Sequence, residues 1–207
     1  MRILVACEFS GTVRDAFNKL GYDAWSCDIQ PSIKEGKHIQ DDVLKVINNK
    51  WDMMIAHPPC TYLSKAGARW LHQNGKINEE RYEKGIKAKE FFLKLLNADI
   101  PKIAVENPTP LTIFNLPKSS HYVQPYEFGH PFSKKTLLWL KNLKPLMPTL
   151  ILSNYTTFLP SNTGGKKRGQ KYNIKKVDNK NYSNLHSKTF EGIAKAMAEQ
   201  WGVNATK

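Results

Sequence analysis

The sequence has only three cysteines in 207 residues, Cys7, Cys27 and Cys60. They form an odd, scattered set without a CxxC pair, which argues against a disulfide framework or a zinc ribbon. Long apolar runs are missing too, and none nears the ~18 residues of a membrane-crossing helix. The N-terminus MRILVACEFSG has no apolar segment ending at a small-residue cleavage site, so no secretory signal is expected. The histidines offer no second ligand at metal-binding spacing, so no metal is expected. General disorder is excluded by a content of 41% hydrophobic and 11% aromatic residues. These absences point to a soluble, cytoplasmic protein whose 207 residues suit one domain.

Acidic residues are also scarce, 18 against 31 basic, for a net charge of +13. Residues 1–60 carry 7 basic and 8 acidic side chains, and residues 111–207 carry 15 and 4. Such asymmetry suits a chain in which one region faces a polyanion while another does separate chemistry. On charge alone, a lysine-rich genome with a solvated face accounts for it equally well.

The first half alternates buried-strand patterns with helical periodicity. Ile3-Leu4-Val5-Ala6 reads as a strand, and Val13, Ala16, Phe17 and Leu20 follow at helical spacing up to Gly21. Ala24–Cys27 and Met53–Ala56 read as further strands, and Val43–Ile47 as a short helix. Glu79–Asn97 reads as a longer helix with Tyr82, Ile86, Leu93 and Leu96 inward, followed by the strand Ile103–Val105. This alternation predicts a mostly parallel α/β sheet with helices on both faces. Thr136–Leu140 reads as a late strand. The stretch 161–180 has seven basic side chains and one acid, Asp178, and reads as an exposed loop. Phe190, Ile193, Ala194, Met197 and Trp201 define a closing helix over 188–203, with Ser187 or Thr189 as cap. One domain spans 1–207, with functional motifs in 1–110 and a basic insertion at 150–187.

Sheets of this kind bind ligands at the carboxyl ends of their strands. Those ends carry Phe9-Ser10-Gly11, Asp28, Pro58-Pro59-Cys60 and Glu106-Asn107-Pro108. Paired prolines fix the backbone and present Cys60 in a defined direction. A thiol held there becomes a nucleophile if a nearby cation or helix N-terminus lowers its pKa. Cys7 and Cys27, in or beside apolar strands, read as inert packing. Glu106 follows a buried strand, where a carboxylate must be solvated, hydrogen-bonded or protonated.

In their order, Phe9-Ser10-Gly11, Pro58-Pro59-Cys60 and Glu106-Asn107-Pro108 resemble three motifs of the cytosine-C5 DNA methyltransferase family: FxGxGG, the Pro-Cys loop and Glu-Asn-Val. The acids Asp28 and Asp42-Val43 extend the similarity, which covers residues 1–110 and is thin beyond them. The chain looks like the compact members found in phages and prophages. The resemblance implies a Rossmann-like class I methyltransferase fold binding S-adenosyl-L-methionine and acting on DNA, with no membrane partner. Cys60 would add to C6 of cytosine, and Glu106, protonated or sharing a proton, would hold N3 and the exocyclic amine. A duplex substrate would have to flip its base out. Asp28 would bind the ribose hydroxyls and Asp42 the adenine amine. Phe9 would stack on adenine, Val43 and Pro58 would line the cofactor pocket, and Ser10, Gly11, Thr12 and the helix N-terminus would cradle the methionine end. Amino-methyltransferases of the same fold carry Asp, Asn or Ser before Pro-Pro and an aromatic after it. His57 and Cys60 depart at both positions.

Three features depart from the family pattern. Val13 and Arg14 replace the later loop glycines; Arg14 either selects a more anionic cofactor analogue or is an exposed helix residue, the reading preferred here. The Gln-x-Arg-x-Arg motif has no counterpart except Phe132-Ser133-Lys134-Lys135-Thr136, where Lys134 or Lys135 would contact the flipped base or a phosphate; the same residues read equally well as an exposed basic turn. The large target-recognition region is replaced by the basic loop, in which Lys166, Lys167, Arg168 and Lys171 would bind phosphates without reading sequence. Relaxed specificity is therefore expected. Two other functions remain open at this stage. One is a degenerate methyltransferase fold that only binds DNA, and the other is methylation of RNA or a free nucleotide.

Overall fold

Every position of Ile3–Ala6 is apolar, so this strand is stable only with both faces covered. The computed structural model, which describes residues 1–158 and 188–202, places it accordingly. In chain order the main elements are β1 (Arg2–Ala6), α1 (Thr12–Lys19), β2 (Asp23–Asp28), β3 (His38–Gln40), α2 (Val43–Val46) and β4 (Met53–Ala56). They continue with α3 (Ala68–Leu71), α4 (Glu79–Leu96), β5 (Lys102–Asn107), β6 (His121–Val123), β7 (Thr136–Lys141) and α5 (Glu191–Gly202). The seven strands form one sheet in the order β3-β2-β1-β4-β5-β7-β6. The first five run parallel, and β7 is antiparallel to both β5 and β6.

Strand alternation sends Ile3, Val5, Met53 and Ile55 to one face, where Val13 and Phe17 of α1 meet Ile193, Met197 and Trp201 of α5. Leu4, Ala6, Met54 and Val105 go to the other face, under Phe92 and Leu95 of α4. The expected Rossmann-like α/β architecture is present, with helices on both faces of a mostly parallel sheet. Among the described residues, no helix is long and apolar enough to cross a membrane.

Several details depart from the sequence expectations. The inward face of α4 is rotated: Phe92 and Leu95 are buried, whereas Tyr82, Ile86, Leu93 and Leu96 are half-buried. Gly85 fixes that phase by leaving room for the Phe114 ring, which a Cβ would meet at 2.1 Å. Strand β6 has only three residues, too few to show alternation. The connection from β6 to β7 holds no helix long enough for a parallel crossover, so β7 returns antiparallel. In the first turn of α5, the Gly192 amide donates to the His130 ring (2.9 Å) rather than to Thr189. Ser187 lies outside the described residues.

Arg14 is the largest correction, being fully buried instead of exposed. Its guanidinium donates to Asp15 Oδ1 (2.8 Å), Ser26 Oγ (3.2 Å), Ser32 Oγ (3.3 Å) and the Glu35 carbonyl (2.8 Å). Gly11 and Gly36 make room for it, since a Cβ at either would approach the guanidinium to 2.4 Å and 2.8 Å. Buried arginine is tolerable only with its donors met. Here it ties α1 to the loop after β2.

Candidate active site

The carboxyl ends of β1, β2, β4 and β5 open onto one cavity of about 910 Å³. At the end of β1, Cys7 takes a left-handed backbone (φ +57°) and turns the chain toward α1. Glu8, which follows, is buried. Its carboxylate accepts from the amides of Val13 (2.7 Å) and Arg14 (3.2 Å) and from the Ser10 hydroxyl (3.1 Å). The Thr12 amide donates to Ser10 Oγ (3.3 Å). The N-terminal amides of α1 are therefore satisfied from within the chain. Of the residues expected to cradle the methionine end, Ser10 lines the cavity and Gly11 and Thr12 do not. Glu8 escaped the sequence reading; its signal was an acid shortly before a helix start, where the helix dipole favours negative charge.

Asp28 closes β2 and lines the cavity. Burial raises its carboxyl pKa, although the Gln30 amide (2.8 Å) favours the ionised form. Asp42 also lines the cavity, and one of its oxygens caps α2 by accepting from the Leu44 amide (2.9 Å). Cys27 donates to the Asp41 carbonyl (3.4 Å), and burial pushes its thiol up to about 11. Burial pushes the Cys7 thiol higher still, with Asp28 adding to the shift. Both thiols fit the packing role expected of them.

The loop after β4 carries the reactive candidates. The His57 amide is pinned to the Ala6 carbonyl (2.9 Å), and its Nδ1 lies 3.1 Å from Glu106 Oε2 at the end of β5. Pro58 and Pro59 lead into Cys60, whose carbonyl accepts from the amides of Leu63 (3.1 Å) and Ser64 (2.9 Å). The Cys60 thiol is half-buried and its pKa is raised. Burial is the main cause and Glu106 adds to it, while Lys134 and hydrogen bonding, including that with Ser64, oppose it. A cation is therefore present, as the sequence required, but burial and the carboxylate outweigh it.

Glu106 shows the opposite balance. Burial alone would raise its pKa, yet the hydrogen bond with His57, together with the Lys134 ammonium, holds the carboxyl below its ordinary value. The carboxylate form is thereby favoured in the free protein. The buried side-chain polar atoms without a hydrogen-bond partner among the described residues are His57 Nε2 and the two amide atoms of Asn107. Both residues stand at this junction of the β4 and β5 ends.

Phe9, Ser10, Asp28, Asp42, Val43 and Pro58 thus share one cavity with Cys60, Glu106, Lys134 and Lys135. The Lys134 ammonium stands 5.8 Å and 5.9 Å from the rings of Phe158 and Phe190, and that of Lys135 stands 4.6 Å from Tyr122. Val123, Leu138, Phe190, Ile193 and Met197 add apolar lining that was not anticipated. Lys166, Lys167, Arg168 and Lys171 lie outside the described residues.

Comparison with known proteins adds a likeness of shape. No family model and no curated protein matches the chain. Among solved structures, one neighbour is an Escherichia coli prophage-encoded protein titled as a putative DNA modification methyltransferase. It is 15% identical, with 73% of this chain and 52% of that chain covered and a TM-score of 0.43. Another is the Entamoeba histolytica methyltransferase EhMeth, 14% identical, with 75% and 57% covered and a TM-score of 0.43. The chain spans a little over half the length of these structures.

The cavity's own chemistry suits a nucleoside-bearing cofactor at one end. Asp28 at the end of β2 and Asp42 at the head of α2 offer acceptors for hydroxyl and amine donors. Phe9, Ile29 and Val43 offer apolar surface beside them.

Proposed function

We propose that the chain is an S-adenosyl-L-methionine-dependent methyltransferase acting at C5 of cytosine in DNA. The observation that carries this reading is the placement of Cys60 and Glu106, from two adjacent strand ends, in the same cavity as Asp28 and Asp42. A cysteine and a carboxylate together suit addition to an electron-poor ring. A methyl donor alone would need neither.

In this reading Asp28 holds the ribose hydroxyls, Asp42 offers its uncapped oxygen to the adenine amine, and Phe9, Val43 and Pro58 enclose the adenosine. When bound, the cofactor supplies an electrophilic methyl group. The chain's own residues prepare the base to accept it. The Cys60 sulfur bonds to C6, the C5–C6 electron pair shifts toward C4, and N3 takes up a proton. Glu106 accepts from the exocyclic amine and steadies the ring, and Lys134 offsets negative charge near the sulfur. Loss of the C5 proton to solvent, departure of the Cys60 sulfur and return of the N3 proton through Glu106 to that sulfur then restore the ring.

The test uses labelled S-adenosyl-L-methionine and DNA carrying 5-fluorocytosine, in duplex and single-stranded form. Fluorine at C5 blocks the final elimination, so the protein should be trapped covalently through Cys60. Absence of an adduct on either form, with Cys60→Ser binding DNA unchanged, would sink the catalytic reading. A DNA-binding protein without turnover is the competing reading. It draws support from the α1 N-terminus, whose amides Glu8 already occupies, and the same experiment separates the two.

A further inference from the structure

We propose that His57 is a positioning residue. By donating from Nδ1 to Glu106 Oε2 at 3.1 Å, it fixes Glu106 as the group that takes the Cys60 proton and passes it to the target base. This inference rests on the methyltransfer reading above.

The geometry begins with an immobile imidazole. The His57 side chain is only 7% exposed, its amide is bonded to the Ala6 carbonyl, and two prolines follow it. Its Nε2 is buried without a partner among the described residues, so a proton there would be desolvated with none of them to receive it. The ring proton therefore belongs on Nδ1, facing the carboxylate. That makes the imidazole the donor and Glu106 the acceptor.

A carboxylate at a strand end otherwise turns freely about its last torsion, which is broad and two-fold. One bonded oxygen sets its plane and leaves Oε1 for the base. Lys134, the cation acting on Glu106, cannot set this plane, because an ammonium is a point charge without a planar fork. The groups facing the carboxylate are thus His57 from the end of β4, Cys60 from the loop beyond it, and Lys134 from the approach to β7.

Proton placement then closes the chemistry. At rest the proton sits on the Cys60 sulfur and Glu106 is ionised. On addition the S–H bond breaks and its proton moves to Glu106. The S–C6 bond forms, and the same proton passes from Glu106 to N3 as the C4–N3 pair becomes a lone pair. No proton is gained or lost in the addition, and His57 keeps its own throughout.

The first test is ¹³C NMR titration of the Glu106 carboxyl in the free protein, assigned with Glu106→Gln. In His57→Phe the carboxyl should titrate about one pH unit higher or more, and in His57→Asn, whose amide can donate from nearly the same place, much closer to the unmodified protein. The second is the rate of adduct formation on 5-fluorocytosine DNA. His57→Phe should slow it ~10-fold or more with KM for DNA and cofactor within about twofold, and His57→Asn should recover most of the loss. An unmoved Glu106 titration in folded His57→Phe overturns the proposal. So does a His57→Asn variant that is folded yet as slow as His57→Phe. If the unmodified protein forms no adduct, the methyltransfer reading and the relay fall together, and the titration alone decides whether His57 positions Glu106.

Discussion

The guanidinium of Arg14, wholly buried in α1, donates to the Glu35 carbonyl at 2.8 Å and so fastens the loop after β2 to the first helix. That loop begins with Ile29 and Gln30, which line the cavity beside Asp28. Arg14→Met should cost about 3 kcal/mol of stability, because it strands buried acceptors and leaves unfilled volume. Urea unfolding measures this directly. The substitution should also weaken cofactor binding, read by calorimetry at a temperature where the variant is folded. A change below about 0.5 kcal/mol would mean that Arg14 is not the strut described here.

Glu8 holds the start of α1 through the Val13 and Arg14 amides. Glu8→Ala removes an acceptor for two buried amides and should cost about 2 kcal/mol. Glu8→Gln keeps one acceptor oxygen but turns an amide donor toward the helix N-terminus, and should lose about half as much. If Glu8→Ala gained cofactor affinity instead, the α1 amides would be a usable anion site that the carboxylate merely blocks. Calorimetry on the same two variants gives that answer.

Asp28 and Glu106 should respond to pH in opposite senses. The folded state raises the Asp28 pKa through burial, so its charge costs stability above that pKa and the cost fades as pH falls. Asp28→Asn should therefore raise the melting temperature at neutral pH by about 1–3 °C while weakening cofactor binding ~10-fold or more. Glu106 is held below its ordinary value. Its contribution to stability is fully present above the unfolded carboxylate pKa and is lost as pH falls through the folded one. The stability gap between the unmodified protein and Glu106→Gln should accordingly be flat near neutrality and shrink only in acid. Thermal melts from pH 3 to 8 test both signs.

Much of this was legible in the sequence wherever one local rule decided the outcome. Met53–Ala56 appears as a strand with the expected bounds because four apolar residues between Trp51-Asp52 and His57-Pro58 allow little else. The grouping of Asp28, Cys60 and Glu106 followed from the rule that such sheets gather their strand ends on one edge. What escaped depended on partners far along the chain. Arg14 read as exposed because nothing near it announces acceptors at Ser26, Ser32 and Glu35. His57 was noticed only for its place before Pro58, since the partner that gives it meaning lies 49 positions away. The phase of α4 escaped because Tyr82 and Phe92 are comparably apolar, and the Gly85–Phe114 contact chooses between them.

Lys135 and Tyr122 supply the last prediction, on the nucleic acid itself. Lys135 lines the cavity, its ammonium stands 4.6 Å from the Tyr122 ring, and Tyr122 is 47% exposed and stacked on His121. A cation beside an exposed aromatic suits a phosphate next to a stacked base. Lys135→Ala should weaken DNA binding and reduce the slope of log K against log salt by about 1. Tyr122→Ala should leave that slope unchanged while costing about 1–3 kcal/mol, because stacking releases no counterions. Neutralising Lys166, Lys167 and Arg168 together should flatten the slope by about 2–3. Fluorescence anisotropy across a salt series separates the three cases. If the Tyr122 and Lys135 variants bind as the unmodified protein does while the triple variant loses its slope, the basic stretch alone holds the DNA.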